Sequence, residues 1–307
     1  MRLVFLGSPP VAARSLRSFH DAGHEIGLVV TQTDRRRGRG GSLQATAVKT
    51  VAEELGLPVT HRMGDLLTQD VDLGVVVAFG RIIPAAILAV TPMVNLHLSL
   101  LPRWRGAAPI ERAILAGDPY SGVSLMALDE GLDTGPVYET ITVPIDPTES
   151  ASELTFRLGE LGTDALLARL RDGAGGLGLV TPQVGEPTYA EKLTVADRHL
   201  DFSVSAEACL RVVRIGRAWT TFRGKRFIVH EAHLLDAAAT TAEAHQLGTL
   251  TDGQVMTASG CLVLDRVQLE GRAEQSYSQF ANGAHLDAGE LLGDSAGDGQ
   301  SGGSLRQ

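Results

Sequence analysis

From the N-terminus the chain alternates short, unbroken apolar runs with stretches whose apolar residues recur every three to four positions. The runs at 3–6, 26–31, 73–78 and 94–96 predict strands, and the periodic stretches at 11–22, 46–55, 84–90 and 108–116 predict helices. Gly56 and Pro58 close the second helix, and Pro84 opens the third. The strand runs are apolar throughout instead of alternating, so both faces of each are expected to be covered, as in a parallel sheet flanked by helices. Such alternation predicts an α/β domain, a doubly wound, Rossmann-like and mostly parallel sheet with right-handed crossovers.

After residue 116 the pattern changes. Strands at 123–128 and 137–143 and a long amphipathic helix at 153–170 precede a Gly- and Pro-rich passage, 173–187, with the character of a linker. From 201 onward the segments are short and β-like, at 220–222, 226–229, 248–250, 254–257 and 261–267, which predicts a smaller C-terminal β-barrel of OB-like type. Gly, Ser, Asp and Gln then dominate, the composition of a disordered tail. The expected division is an α/β domain over 1–183, a linker over 184–203, a barrel domain over 204–284 and a tail over 285–307.

Composition adds limits. A chain of 307 residues suits two domains, and 44% hydrophobic with 21% charged residues describes a soluble globular protein. A net charge of −9 is not that of a bulk nucleic-acid binder, so any RNA contact must use local basic patches. Two cysteines, Cys209 and Cys261, provide neither a disulfide framework nor zinc-ligand spacing, and no metal is expected. The N-terminal apolar run breaks at Gly7-Ser8-Pro9-Pro10 without the long core of a signal peptide, and no run is long enough to span a membrane. A cytoplasmic protein is expected. Gly7-Ser8-Pro9 also lacks the G-x-G-x-x-G pattern, so a nicotinamide cofactor is not expected.

The chemistry concentrates at residues 95–106, NLHLSLLPRWRG, and at the LDTG of residues 132–135. Asn95 and His97 stand two apart on a predicted strand and therefore share one face, at the strand end where open α/β sheets bind ligands. An amide and an imidazole so placed can stabilise a developing oxyanion and move a proton, and Asp133 can orient the imidazole. Taken singly, each has a plainer use: a turn asparagine, a half-buried histidine, a capping aspartate.

Taken together, Asn-x-His, Ser-Leu-Leu-Pro and Asp-Thr-Gly in this order resemble the formyltransferases that use 10-formyltetrahydrofolate, over about residues 1–229. The closest likeness is to members whose acceptor is the methionine α-amine of initiator Met-tRNA. The resemblance implies Asn95, His97 and Asp133 as catalytic residues, with the histidine open to either an acid/base or an oxyanion-donor role. It implies Ser99, Leu100, Leu101 and Pro102 as the loop touching the folate co-substrate, residues 79–84 as another pocket wall, and a monomer that needs no membrane. The arginine-rich segment 31–41 resembles the loop those members insert at the tRNA acceptor end, with Arg39 in the matching Gly-Arg-Gly. Lys192, in Tyr-Ala-Glu-Lys-Leu, resembles a linker lysine that reaches toward tRNA. Arg211 and Arg214 share a predicted helix face, either solvated or tracking phosphates. The sequence departs from the family in a shortened 61–71 segment, a bulky Leu98, and Arg217-Ala218-Trp219-Thr220 in place of Pro-Trp-Pro. The rival readings are transfer to an amino-sugar nucleotide, folate hydrolysis, and a catalytically dead RNA-binding module.

Overall fold

The structure, a computed structural model, describes residues 1–37, 41–235, 246–287 and 289–293. It comprises two compact units, one of Met1–Ala113, Asp118–Asp146 and Ser152–Lys192, the other of Ile114–Gly117, Pro147–Ala151 and Leu193–Gln307.

The first unit is built on a seven-stranded sheet of β1 (Arg2–Gly7), β2 (Glu25–Val30), β3 (Val59–Thr60), β4 (Leu73–Val77), β5 (Met93–His97), β6 (Tyr120–Ala127) and β7 (Val137–Pro144). The strand order is 3-2-1-4-5-6-7; the first five strands are parallel, β6 runs antiparallel to them, and β7, antiparallel to β6, returns to their direction. Between them lie the helices α1 (Pro10–Asp21), α2 (Ala47–Glu54), α3 (Ala85–Leu88) and α4 (Pro109–Ala116), and α5 (Ala151–Arg169) follows β7. Strand order reverses between β1 and β4, the switch point that opens a ligand crevice in such sheets.

Both sheet faces are covered, which is why the strand runs are apolar throughout. On one face Phe5 meets Phe19 of α1, and Ser15 of α1 hydrogen-bonds Thr163 of α5 at 2.8 Å. On the other, Val4, Leu6, Leu28, Val30 and Val76 pack with Leu66, Phe79, Ile83 and Ile87.

Two passages differ from expectation. In the arginine-rich segment Arg35–Arg37 pairs antiparallel with Ser42–Gln44, and Arg35 donates to Gln32 Oε1 at 2.6 Å. Arg39 lies outside the described residues. The Gly/Pro-rich passage is anchored as well, because Leu177 is buried and Thr181 bridges Val137 on the edge strand β7. Glycine and proline count marks irregular backbone, and irregular backbone can still dock by single side chains.

In the second unit α6 (Ala206–Arg214) precedes the strands β8 (Ala218–Phe222), β9 (Lys225–Leu234), β10 (Thr249–Thr251), β11 (Gln254–Met256), β12 (Cys261–Leu269), β13 (Gln275–Ser276) and β14 (Glu290–Leu291). The strands form a curled sheet of order 8-9-12-11-10-14 with β13 beside β12, all antiparallel, a half-barrel where the short β-like segments predict a barrel. Phe222, Phe227 and Phe280 meet at its centre, with ring centroids 4.9–5.9 Å apart. Phe280 comes from α7 (Tyr277–Ala284), absent from the sequence reading; a capping box of Ser276 and Gln279 starts this eight-residue helix.

The predicted tail begins too early at 285. Residues 290–292 belong to the sheet: β14 pairs β10, and Phe222 and Leu292 form the bridge that joins the sheet's two edges. The rest of that tail, 294–307, lies outside the described residues. Cys209 and Cys261 are free and buried, and burial pushes the Cys209 thiol up to about 11, which leaves it inert.

Candidate active site

Strand β5 carries Asn95 and His97 on one face. Asn95 sits in register with Val76 and Met126, His97 opposite Ser124, while Leu96 points to the other face toward Gly162 of α5. Both polar residues are nearly enclosed, 9% and 6% exposed, in a strand otherwise made of Met93, Val94 and Leu96. Polar groups cost stability in such a place unless bonded or used. The Asn95 carboxamide makes no hydrogen bond to any other described residue, which leaves its donors free for a ligand.

The histidine is held from two sides. Its Nε2 lies 2.9 Å from the carbonyl oxygen of Trp104. A carbonyl only accepts, so Nε2 carries a hydrogen and donates it. Nδ1 is thereby left for proton exchange, and it faces Asp133 Oδ2 at 3.7 Å, beyond hydrogen-bond range but well within electrostatic reach. The Trp104 carbonyl is itself fixed. Trp104 has a φ of 62°, its backbone N–H donates to Thr188 Oγ1, and its indole N–H donates to Asp118 at 2.8 Å.

Asp133 lies in a tight loop, and its carboxylate also accepts from the Gly106 N–H, which donates to Oδ2 at 2.8 Å. Asp129 closes the loop from inside by accepting from Thr134 Oγ1 and the Gly131 N–H. Both glycines of the loop are required, since a Cβ on Gly131 would fall 1.9 Å from Thr134 Oγ1 and one on Gly135 would fall 1.8 Å from the Ala127 carbonyl. The sequence spacing therefore does bring Asn95, His97 and Asp133 together at one strand end.

The loop after β5 is pinned by buried hydroxyls. Ser99 Oγ donates to the Arg103 carbonyl at 2.6 Å, while Ser124 Oγ donates to the Ser99 carbonyl and accepts from the Leu101 N–H. Leu101-Pro102 is a cis peptide. Ser99 is buried and Leu100 and Leu101 are half-buried. The sequence reading missed Ser124 and Trp104; it is the backbone carbonyl of Trp104 that meets His97, and no residue-type signal marks a carbonyl.

The other candidates lie elsewhere. Lys192 is exposed. Arg211 and Arg214 do not form a fully solvated face: both are half-buried, Arg214 Nε donates to the Glu149 carbonyl at 2.8 Å, and the Arg211 guanidinium lies against Gly117. Among the described residues no cluster of three or more His, Cys, Asp or Glu could hold a metal, and no helix is long and apolar enough to cross a membrane.

Residues 1–170 match the formyl transferase family and 192–285 the formyl transferase C-terminal domain. The methionyl-tRNA formyltransferase of Neisseria meningitidis serogroup B is 38% identical over 311 residues, 95% of this chain and 100% of that protein. Among solved structures, methionyl-tRNA formyltransferase from Clostridium thermocellum aligns with a TM-score of 0.58 at 15% identity, over 77% of this chain and 95% of that one. HypX from Aquifex aeolicus in complex with tetrahydrofolic acid aligns with a TM-score of 0.62 at 17% identity; the match covers 94% of this chain but only 48% of HypX.

Proposed function

The chain belongs to the methionyl-tRNA formyltransferase family, and from that membership we propose that it moves the formyl group of 10-formyltetrahydrofolate to the α-amine of methionine on initiator Met-tRNA. The observation that carries the reading is the convergence of a free carboxamide, a tautomer-locked imidazole and a carboxylate at one strand end.

The amine attacks the formyl carbon, and negative charge gathers on the formyl oxygen. Asn95 Nδ2 donates to that oxygen; a donor of this kind contributes about 3 kcal/mol to the transition state. With Nε2 committed to Trp104, His97 acts through Nδ1 in either of its roles, as donor to the oxyanion or as carrier of the amine proton. Asp133 balances the imidazolium charge. The tetrahedral intermediate collapses by breaking the bond from the formyl carbon to N10, and N10 takes the proton. Residues 99–102 serve as the folate-contacting loop, their backbone fixed by Ser99 and Ser124.

In this reading Arg39, Lys192, Arg211 and Arg214 meet tRNA phosphates, and the enzyme works as a cytoplasmic monomer. Replacing Lys192 or Arg211 by a neutral residue should weaken tRNA binding and flatten the plot of log affinity against log salt by about 0.7–0.9 per lost phosphate contact. An unchanged slope removes that residue from the interface.

The activity itself is tested with labelled 10-formyltetrahydrofolate and two acceptors, initiator and elongator Met-tRNA. Label should appear on the initiator alone. Folate turnover with no labelled tRNA would overturn the acceptor and turn attention to small amines or water.

A further inference from the structure

We propose that Gln183 is a positioning residue for the reaction: it clamps the loop that carries Asp133 and thereby sets the carboxylate against His97. This rests on the catalytic reading above.

Gln183 stands alone in its surroundings. Every other residue from 181 to 187 is exposed, whereas its own side chain is turned inward and half-buried. The carboxamide there is saturated. Nε2 donates one hydrogen to the Asp133 carbonyl at 2.9 Å and one to the Gly135 carbonyl at 2.8 Å, and Oε1 accepts from Arg105 Nε and Nη2 at 3.1 and 2.6 Å. Chemistry fixes the orientation, because a guanidinium only donates and a carbonyl only accepts.

Gln183 thus holds the backbone on both sides of Thr134, in a loop whose Asp133 has a φ of 52°, a left-handed conformation that non-glycine residues keep only where their surroundings hold them. Asp129 and Thr134 tighten the loop internally. Gln183 is the group that ties it to Arg105, and Arg105 is next to Gly106, whose N–H binds the Asp133 carboxylate. Backbone and carboxylate of Asp133 are therefore registered to the same two residues, Arg105 and Gly106. Small misplacements of a catalytic group cost large factors in rate, so a clamp of this kind acts on kcat.

The test compares wild type, Gln183→Met, Asp133→Asn and the double variant in the full chain. Gln183→Met keeps the length and removes the four hydrogen bonds to Asp133, Gly135 and Arg105. It should lower kcat for formyl transfer about 30-fold, with KM for folate and tRNA changed less than threefold. Added to Asp133→Asn it should lower kcat no further, because it acts through that carboxylate. Gly106 amide hydrogen exchange, which needs no substrate, should speed up about tenfold in Gln183→Met as the N–H loses its partner. Independent, multiplying losses in the double variant, or a Gly106 amide as protected as in wild type, would overturn the proposal. Should wild type formylate no tRNA, faster Gly106 exchange in Gln183→Met would still support the clamp, and only the acceptor assignment would fall.

Discussion

Asp133→Asn should reduce kcat by about a thousandfold or more while the protein folds and binds both substrates as before. The asparagine side-chain oxygen can still accept from the Gly106 N–H, which wild-type Oδ2 does at 2.8 Å, so the loop keeps its anchor. What disappears is the charge 3.7 Å from Nδ1 of His97. Nε2 is engaged with the Trp104 carbonyl at 2.9 Å, so the imidazole has no second nitrogen through which to recover the lost function. His97→Ala should be at least as severe, since it removes the ring itself. Single-turnover formyl transfer with saturating 10-formyltetrahydrofolate and Met-tRNA isolates the chemical step. If Asp133→Asn raised KM for one substrate and left the single-turnover rate intact, the carboxylate would belong to binding and the mechanism above would be wrong.

Much of this site can be read in the chain before any coordinates. Alternation rules for strands put Asn95 and His97 on one face, and the unbroken apolar runs imply a sheet covered on both sides; the structure has both. Asp133 is different. Nothing in the 35 positions between His97 and Asp133 fixes their separation in space, and only the whole motif string, through its likeness to a family, joined them. The support around them was not legible at all. Gln183 lies in a passage whose glycines and prolines signal irregular backbone, and its importance comes from two carbonyls that any residue could supply. The surroundings of the α6 arginines were not legible for a related reason. A run of basic residues gives charge but not surroundings, and Arg214 is turned onto a backbone carbonyl from a segment 65 residues away.

The C-terminal edge shows the same limit, and it leads to the second large effect. Leu292→Ala should destabilise the second unit by about 2–5 kcal/mol, the range for a buried leucine cut to alanine. Leu292 is 3% exposed, packs in the cluster with Phe202, Phe222 and Phe280, and bridges Phe222 across the two edges of the curled sheet. Composition hid it, because it sits among Gly, Ser and Asp residues that resemble a solvated tail. For a unit of this size the melting transition should fall by more than about 10 °C. Leu247→Ala is the matched control; that leucine is 45% exposed, and its loss should change stability by less than about 0.5 kcal/mol. Equal, small shifts for the two variants would mean that the 290–293 edge adds nothing to the core. The same edge should carry a pH signature. Arg223 donates to both carboxylate oxygens of Glu290, at 2.9 and 2.7 Å, and these bonds hold its carboxyl below the usual range. A carboxylate depressed in the folded state stabilises above its unfolded pKa, and that contribution is lost as pH falls through the folded value. Glu290→Gln should therefore lower the melting temperature at neutral pH and lose that difference in acid; a difference that persisted in acid would assign the effect to packing instead of charge.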